Sequence, residues 1–125
     1  MEMKFYRCKH CGQIIAIVKK TEAKVVCCGD VMEEIVPGSM DASLEKHVPQ
    51  FRVDGDTVIV NVGSIDHPMI PEHYIEWVAI QTKDGNQRKA LKPNTKPEVS
   101  FKISKGDEVL AVYAYCNLHG LWRNQ

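Results

Sequence analysis

The sequence has no net charge: 16 Lys and Arg offset 16 Asp and Glu among 125 residues. Without a summed field it has no electrostatic pull toward nucleic acid or an anionic membrane, and no basic run stands ready to form a local patch. Long apolar runs are missing as well. The longest near the N-terminus, Ile14 to Val18, is too short to cross a bilayer or form a signal-peptide core, so a cytoplasmic location is expected. No internal repeat or low-complexity tract is present, and helical periodicity is almost absent. The remaining composition, 44% apolar and 26% charged, is that of a soluble globular protein with one domain, or one domain and a small appendage.

What the sequence does hold is cysteine and histidine, five of each. In a reducing compartment such cysteines read as metal ligands rather than disulfides. Cys8-x-x-Cys11 and the adjacent Cys27-Cys28 flank a strand-like segment, Gln13 to Lys19. Gly12 permits the close backbone approach that a metal knuckle needs. The first 36 residues cannot bury enough apolar surface to fold alone, so a metal on four thiolates is expected to supply the missing stability. Neighbouring cysteines cannot form the usual knuckle, and a distorted tetrahedron follows. Distortion alters a redox iron more usefully than a structural zinc. His10 is expected to be exposed, since four sulfurs complete the coordination.

Ile35-Val-Pro-Gly-Ser39 carries a turn signal and marks a boundary between residues 1–36 and 37–125. Ser39 or Asp41 is expected to cap a helical turn over Ala42 to Lys46 that ends before Pro49, with His47 at its end. Strands follow. Phe51–Val53 and Thr57–Val62 flank the hairpin signal Asp54-Gly55, and Val58, Val60 and Val62 share one face. Tyr74–Thr82 is β-rich, and Val99, Phe101 and Ile103 alternate with polar residues. Glu108–Cys116 is apolar on both faces and so central. The pattern is that of an antiparallel β-sandwich.

Cys116-x-x-His119 closes the last of these strands. A thiol and an imidazole at that spacing can clip a transition metal, although spacing alone favours a buried cysteine beside a surface histidine. His47, His67 and His73 lie upstream beside prolines, none of them within a strand. Folded back onto the clip, they make a site of one sulfur and four nitrogens. The short spacer should draw His119 in to bind through Nδ1, leaving Nε2 to the others on longer loops.

Together these motifs resemble desulfoferrodoxin, the two-iron class of superoxide reductase. Cys8-x-x-Cys11 with Cys27-Cys28 looks like its desulforedoxin-type iron tetrathiolate. Glu45-Lys-His-Val-Pro49, His67-Pro-Met69, His73-Tyr-Ile75 and Cys116-Asn-Leu-His-Gly120 look like its catalytic centre, in matching order. The resemblance implies a desulforedoxin-like iron domain over 1–36 and an immunoglobulin-like β-sandwich over 37–125. It implies two irons per chain. One is held by Cys8, Cys11, Cys27 and Cys28. The other is held by His47, His67, His73 and His119 with Cys116 as axial thiolate, and by Glu45 in the ferric state only.

The implied activity is one-electron reduction of superoxide to hydrogen peroxide without release of dioxygen. Lys46 is the implied cation beside the open coordination position. A homodimer and a rubredoxin-like electron donor are implied as well, in an anaerobe's defence against oxidative stress. Iron suits the task because zinc cannot change oxidation state, and five ligands exceed zinc's tetrahedral demand. Two other classes compete: an iron electron carrier without its own substrate, and a structural zinc-ribbon-like interaction module.

Overall fold

The computed structural model describes residues 2–124, and its backbone divides into two compact units, Met1–Val36 and Pro37–Gln125. Five short strands make up the first: β1 (Lys4–Arg7), β2 (Ile14–Ile17), β3 (Val26–Cys27), β4 (Asp30–Val31) and β5 (Glu33–Glu34). β1 pairs with β2 and β5 in an antiparallel sheet, and β3 and β4 form a separate hairpin. The strand expected over Gln13–Lys19 is shorter than its sequence signal, because Val18 already stands 96% exposed. Among the described residues of this unit only Phe5, Cys8 and Met32 are buried. Three side chains are too few to offset the ordering of some thirty residues.

The second unit opens with α1 (Leu44–His47), one turn long. Ser43 occupies its N-cap without a side-chain hydrogen bond, so neither Ser39 nor Asp41 caps it. The turn is held instead at its other end, where the Val48 N–H donates to the Leu44 carbonyl. Seven strands follow: β6 (Pro49–Asp54), β7 (Thr57–Val62), β8 (Ile75–Thr82), β9 (Asn86–Ala90), β10 (Glu98–Lys102), β11 (Val109–Cys116) and β12 (Gly120–Asn124). They form two antiparallel sheets, ordered β10-β7-β6 and β12-β11-β8-β9. The core between them takes Val58, Val60 and Val62 from β7, Phe101 from β10, Ile75, Val78 and Ile80 from β8, and Val112, Ala114 and Cys116 from β11. Burying each large aliphatic side chain there contributes about 1.5–3 kcal/mol.

β11 is internal to its sheet, as an all-apolar strand must be. The edge strands β9 (Asn-Gln-Arg-Lys-Ala) and β12 carry no alternation of their own and take their form by pairing with β8 and β11.

One end of the sandwich gathers the functional loops. β6 starts there (Pro49 opposite Val62), and β11 ends there (Cys116 opposite both Ile75 and Gly120). Between Tyr115 and Cys116 the register with β8 slips, pairing Tyr115 with Trp77 but Cys116 with Ile75. Glu76 is thereby skipped. A bulge of this kind re-aims side chains, and here Ile75 and Cys116 both end up fully buried.

Candidate metal centres

In the first unit, Cys8 and Cys11 come from the turn after β1, Cys27 from the end of β3 and Cys28 from the β3–β4 turn. All four sulfurs lie within 4.8 Å of one another. Adjacent residues of a strand point to opposite faces, so Cys27 and Cys28 face one point only because the chain bends between them. Cys28 adopts the left-handed conformation (φ 52°), uncommon for a residue with a Cβ. The Cys27 and Cys28 sulfurs are 3.9 Å apart, and those of Cys11 and Cys27 are 3.7 Å apart. A tetrahedral ion with metal–sulfur bonds of about 2.3 Å wants sulfurs about 3.8 Å apart.

The thiols differ in acidity. The Cys11 backbone N–H points at Cys8 Sγ and draws that thiol down to about 6. Crowding by Cys8 and Cys11 pushes Cys27 up to about 12 and raises Cys28 also. Four thiolates cannot share so small a volume without a cation among them. His10 is exposed, with Nε2 2.7 Å from the Asp30 carboxylate, and takes no part in the sulfur cluster.

In the second unit, α1 brings in His47, the β7–β8 loop His67 and His73, the end of β11 Cys116, and the β11–β12 turn His119. Ligand atoms of His47, His67, His73 and Cys116 all lie within 4.8 Å of one another. His47 Nε2 is 3.2 Å from both His67 Nε2 and His119 Nδ1, and Cys116 Sγ is 3.8 Å from His119 Nδ1. Neighbouring nitrogens on a six-coordinate ion with bonds of about 2.1 Å sit about 3.0 Å apart.

Hydrogen bonds fix what these nitrogens present. The Nδ1–H of His47 donates to the Ser43 carbonyl and that of His67 to the Pro68 carbonyl, each at 2.7 Å. Both Nε2 atoms therefore carry lone pairs, and the 3.2 Å between them contains no proton. His73 Nε2 is likewise buried without a hydrogen-bond partner among the described residues. Lone pairs converging in a buried space repel unless a cation lies between them. The donor set, four imidazoles and one thiol, exceeds a tetrahedral zinc site, and both clusters fit iron.

Burial first, then the neighbouring rings, holds His67 down to about 4, and burial likewise depresses His47 and His73. The rings are thus kept neutral, the form in which they bind metal. Burial raises the Cys116 thiol, against opposing hydrogen bonds from the Leu118 and His119 backbone. A cation would deprotonate it.

Glu45 and Lys46 are exposed on α1. The Lys46 charge helps depress both His47 and His73, so it acts on the site electrostatically. The Glu45 carboxylate is not part of the converging cluster. Its backbone carbonyl is held instead, by the Ile65 N–H at 3.0 Å and the Ser64 hydroxyl at 3.2 Å. Gly63 (φ 88°) lies so close to this turn and to its own following loop that a Cβ there would clash with the backbone oxygens of Glu45 and Ile65.

Trp122 supports the site from the side of β12. Its ring lies 5.0 Å from the His47 ring, and its indole N–H donates to the His119 carbonyl at 3.1 Å. Its place three residues after His119 was the available signal.

Comparison with known proteins bears on both clusters. The desulfoferrodoxin family profile matches residues 39–125, and the profile of the desulfoferrodoxin N-terminal domain matches residues 1–35. A desulfoferrodoxin homolog of Archaeoglobus fulgidus is 41% identical over 122 residues, covering 98% of this chain and 96% of that one. The desulfoferrodoxin of Nitratidesulfovibrio vulgaris is 39% identical over 122 residues, covering 98% and 95%. The crystal structure of the superoxide reductase from Treponema pallidum superposes with a TM-score of 0.85 at 38% identity, covering the whole of both chains. With both clusters assembled and both profiles matched in sequence order, the chain belongs to the desulfoferrodoxin family.

Proposed function

We propose that this chain is a superoxide reductase, converting superoxide to hydrogen peroxide without forming dioxygen. The observation that carries the reading is the convergence of the His47 and His67 nitrogen lone pairs, the His73 and His119 rings and one buried thiol at an end of the sandwich. The full-length likeness to a structure named superoxide reductase supports it. Iron bound there supplies the single electron that the reaction consumes.

The chain's own residues do the rest. His47, His67, His73 and His119 would hold the metal through nitrogen, and Cys116 through sulfur. Because the rings are neutral, a ferrous site keeps a net positive charge toward an anion. The exposed Lys46 ammonium adds to that potential and steers superoxide inward. Glu45, its neighbour, would offer the oxidised site a carboxylate. Two protons complete the product, and they arrive from water on the side where His73 and His119 are only half-buried.

Residues 1–36 would form an iron tetrathiolate domain and residues 37–125 the reductase domain. The family resemblance supports a homodimer, a rubredoxin-like donor and an electron-transport role in an anaerobe. Cysteines spaced as metal ligands rather than as disulfides support a reducing cytoplasmic setting.

Metal analysis with a visible spectrum, followed by pulse radiolysis of the ferrous protein, tests the reading. The expected result is two irons per chain and one hydrogen peroxide formed per superoxide consumed, with no dioxygen. A colourless zinc protein would leave the interaction module standing. An iron protein inert to superoxide would leave the electron carrier.

A further inference from the structure

Asn117 lies inside the Cys116–His119 chelate, yet its side chain turns away toward another ligand. Its Oδ1 accepts the Tyr74 N–H at 3.0 Å, and its Nδ2 donates to the Glu72 carbonyl at 3.0 Å. Its own backbone N–H donates to the Tyr74 carbonyl at 3.2 Å. Glu72 and Tyr74 are the residues on either side of His73. The amide orientation is unambiguous, because one partner can only donate and the other only accept.

The segment so gripped is stiff within itself. Ile70 and His73 exchange both backbone hydrogen bonds, at 3.1 and 3.0 Å. What such a turn lacks is a reference to the rest of the site. β8 and β11 stop pairing at Ile75 and Cys116, two residues short of His73. Asn117 extends that connection past the end of the sheet, in place of the ladder.

We infer that Asn117 is a positioning residue that sets the His73 ring against the Cys116–His119 chelate. Partners behind metal ligands fix ring orientation, and losing one typically lowers metal affinity about 10–100-fold. The inference rests on the reading of His73 as an iron ligand.

The test uses the full chain and the affinity of the four-histidine site for Fe(II), measured by competition with a chelator. Asn117→Leu keeps the side-chain shape and removes both side-chain bonds. It should lower the affinity about 10–100-fold and speed amide exchange at Tyr74. Asn117→Asp keeps the acceptor for Tyr74 but loses the donor to Glu72, so a smaller loss is expected, and it serves should the leucine variant not fold.

A double-mutant cycle separates positioning from general support. In a His73→Ala background, Asn117→Leu or Asn117→Asp should change the affinity by less than about twofold, since the ring it positions is gone. Wild-type affinity in Asn117→Leu, or an undiminished loss in the His73→Ala background, overturns the inference. If His73→Ala leaves the affinity unchanged, the ligand reading itself fails, and this inference with it.

Discussion

The two units meet the same demand, gathering metal ligands around a point, by opposite means. The first has three buried side chains among its described residues, Phe5, Cys8 and Met32, and one of these belongs to the sulfur cluster itself. The second has a continuous core between two sheets and gathers its histidine–cysteine cluster at one end of it, from α1, the β7–β8 loop, the end of β11 and the turn beyond. In the first, the ligand cluster is most of what holds the fold together. In the second, a finished fold holds the cluster. Metal binding energy is folding energy where no site exists beforehand, whereas a preformed cage spends its own stability keeping lone pairs together.

The largest expected effect follows from that contrast. Removing iron with a chelator, or substituting Cys11→Ser, should abolish amide protection across residues 1–36 while β7, β8 and β11 remain protected. Hydrogen exchange reads this directly, and continued protection of β1 and β2 would erase the difference between the units.

The next effect sharpens the other side. Ile80→Ala, in the sandwich core, should cost about 2–5 kcal/mol. Urea unfolding should give nearly the same loss with and without iron. A loss that appeared only in the iron-free protein would mean that the second unit also leans on its metal.

A smaller effect probes the loops between core and site. Gly63→Ala combines a left-handed backbone with a Cβ placed against Ile65 O and Glu45 O. A cost of about 1–3 kcal/mol is expected, with faster amide exchange at Ile65, whose N–H is bonded to the Glu45 carbonyl. Unchanged stability and exchange would show that the α1 turn is not clamped there.

The smallest effect on the fold is Lys46→Ile, which should leave the unfolding of both units as it is. Its consequence is kinetic: the encounter with superoxide should slow about tenfold and lose much of its salt dependence, because steering is what ions screen. Stopped-flow or pulse-radiolysis rates across a salt series measure it. A wild-type slope would reduce Lys46 to a solvated surface charge.

Local pattern alone determined much of this protein. Val58, Val60 and Val62 at period two, the Asp54-Gly55 turn and the all-apolar run to Cys116 each state a strand from within a few residues, because burial on one face or both is written into the alternation. The two cysteine pairs declare a metal by spacing alone. A two-residue chelate also offers Nδ1 at His119, the nitrogen that faces Cys116 and His47.

Tertiary structure decided the remainder. β9 and β12 have no periodicity to read, since their form comes from the strands beside them. Cys28 gives no sign in sequence of the left-handed turn that lets neighbours share one ion. His47 and His67 are 20 residues apart, yet their lone pairs meet at 3.2 Å, and Trp122 and Asn117 gain their roles from atoms up to 75 and 45 residues away. Such contacts carry no local signature, because they are set by which loops the two sheets bring to the same end.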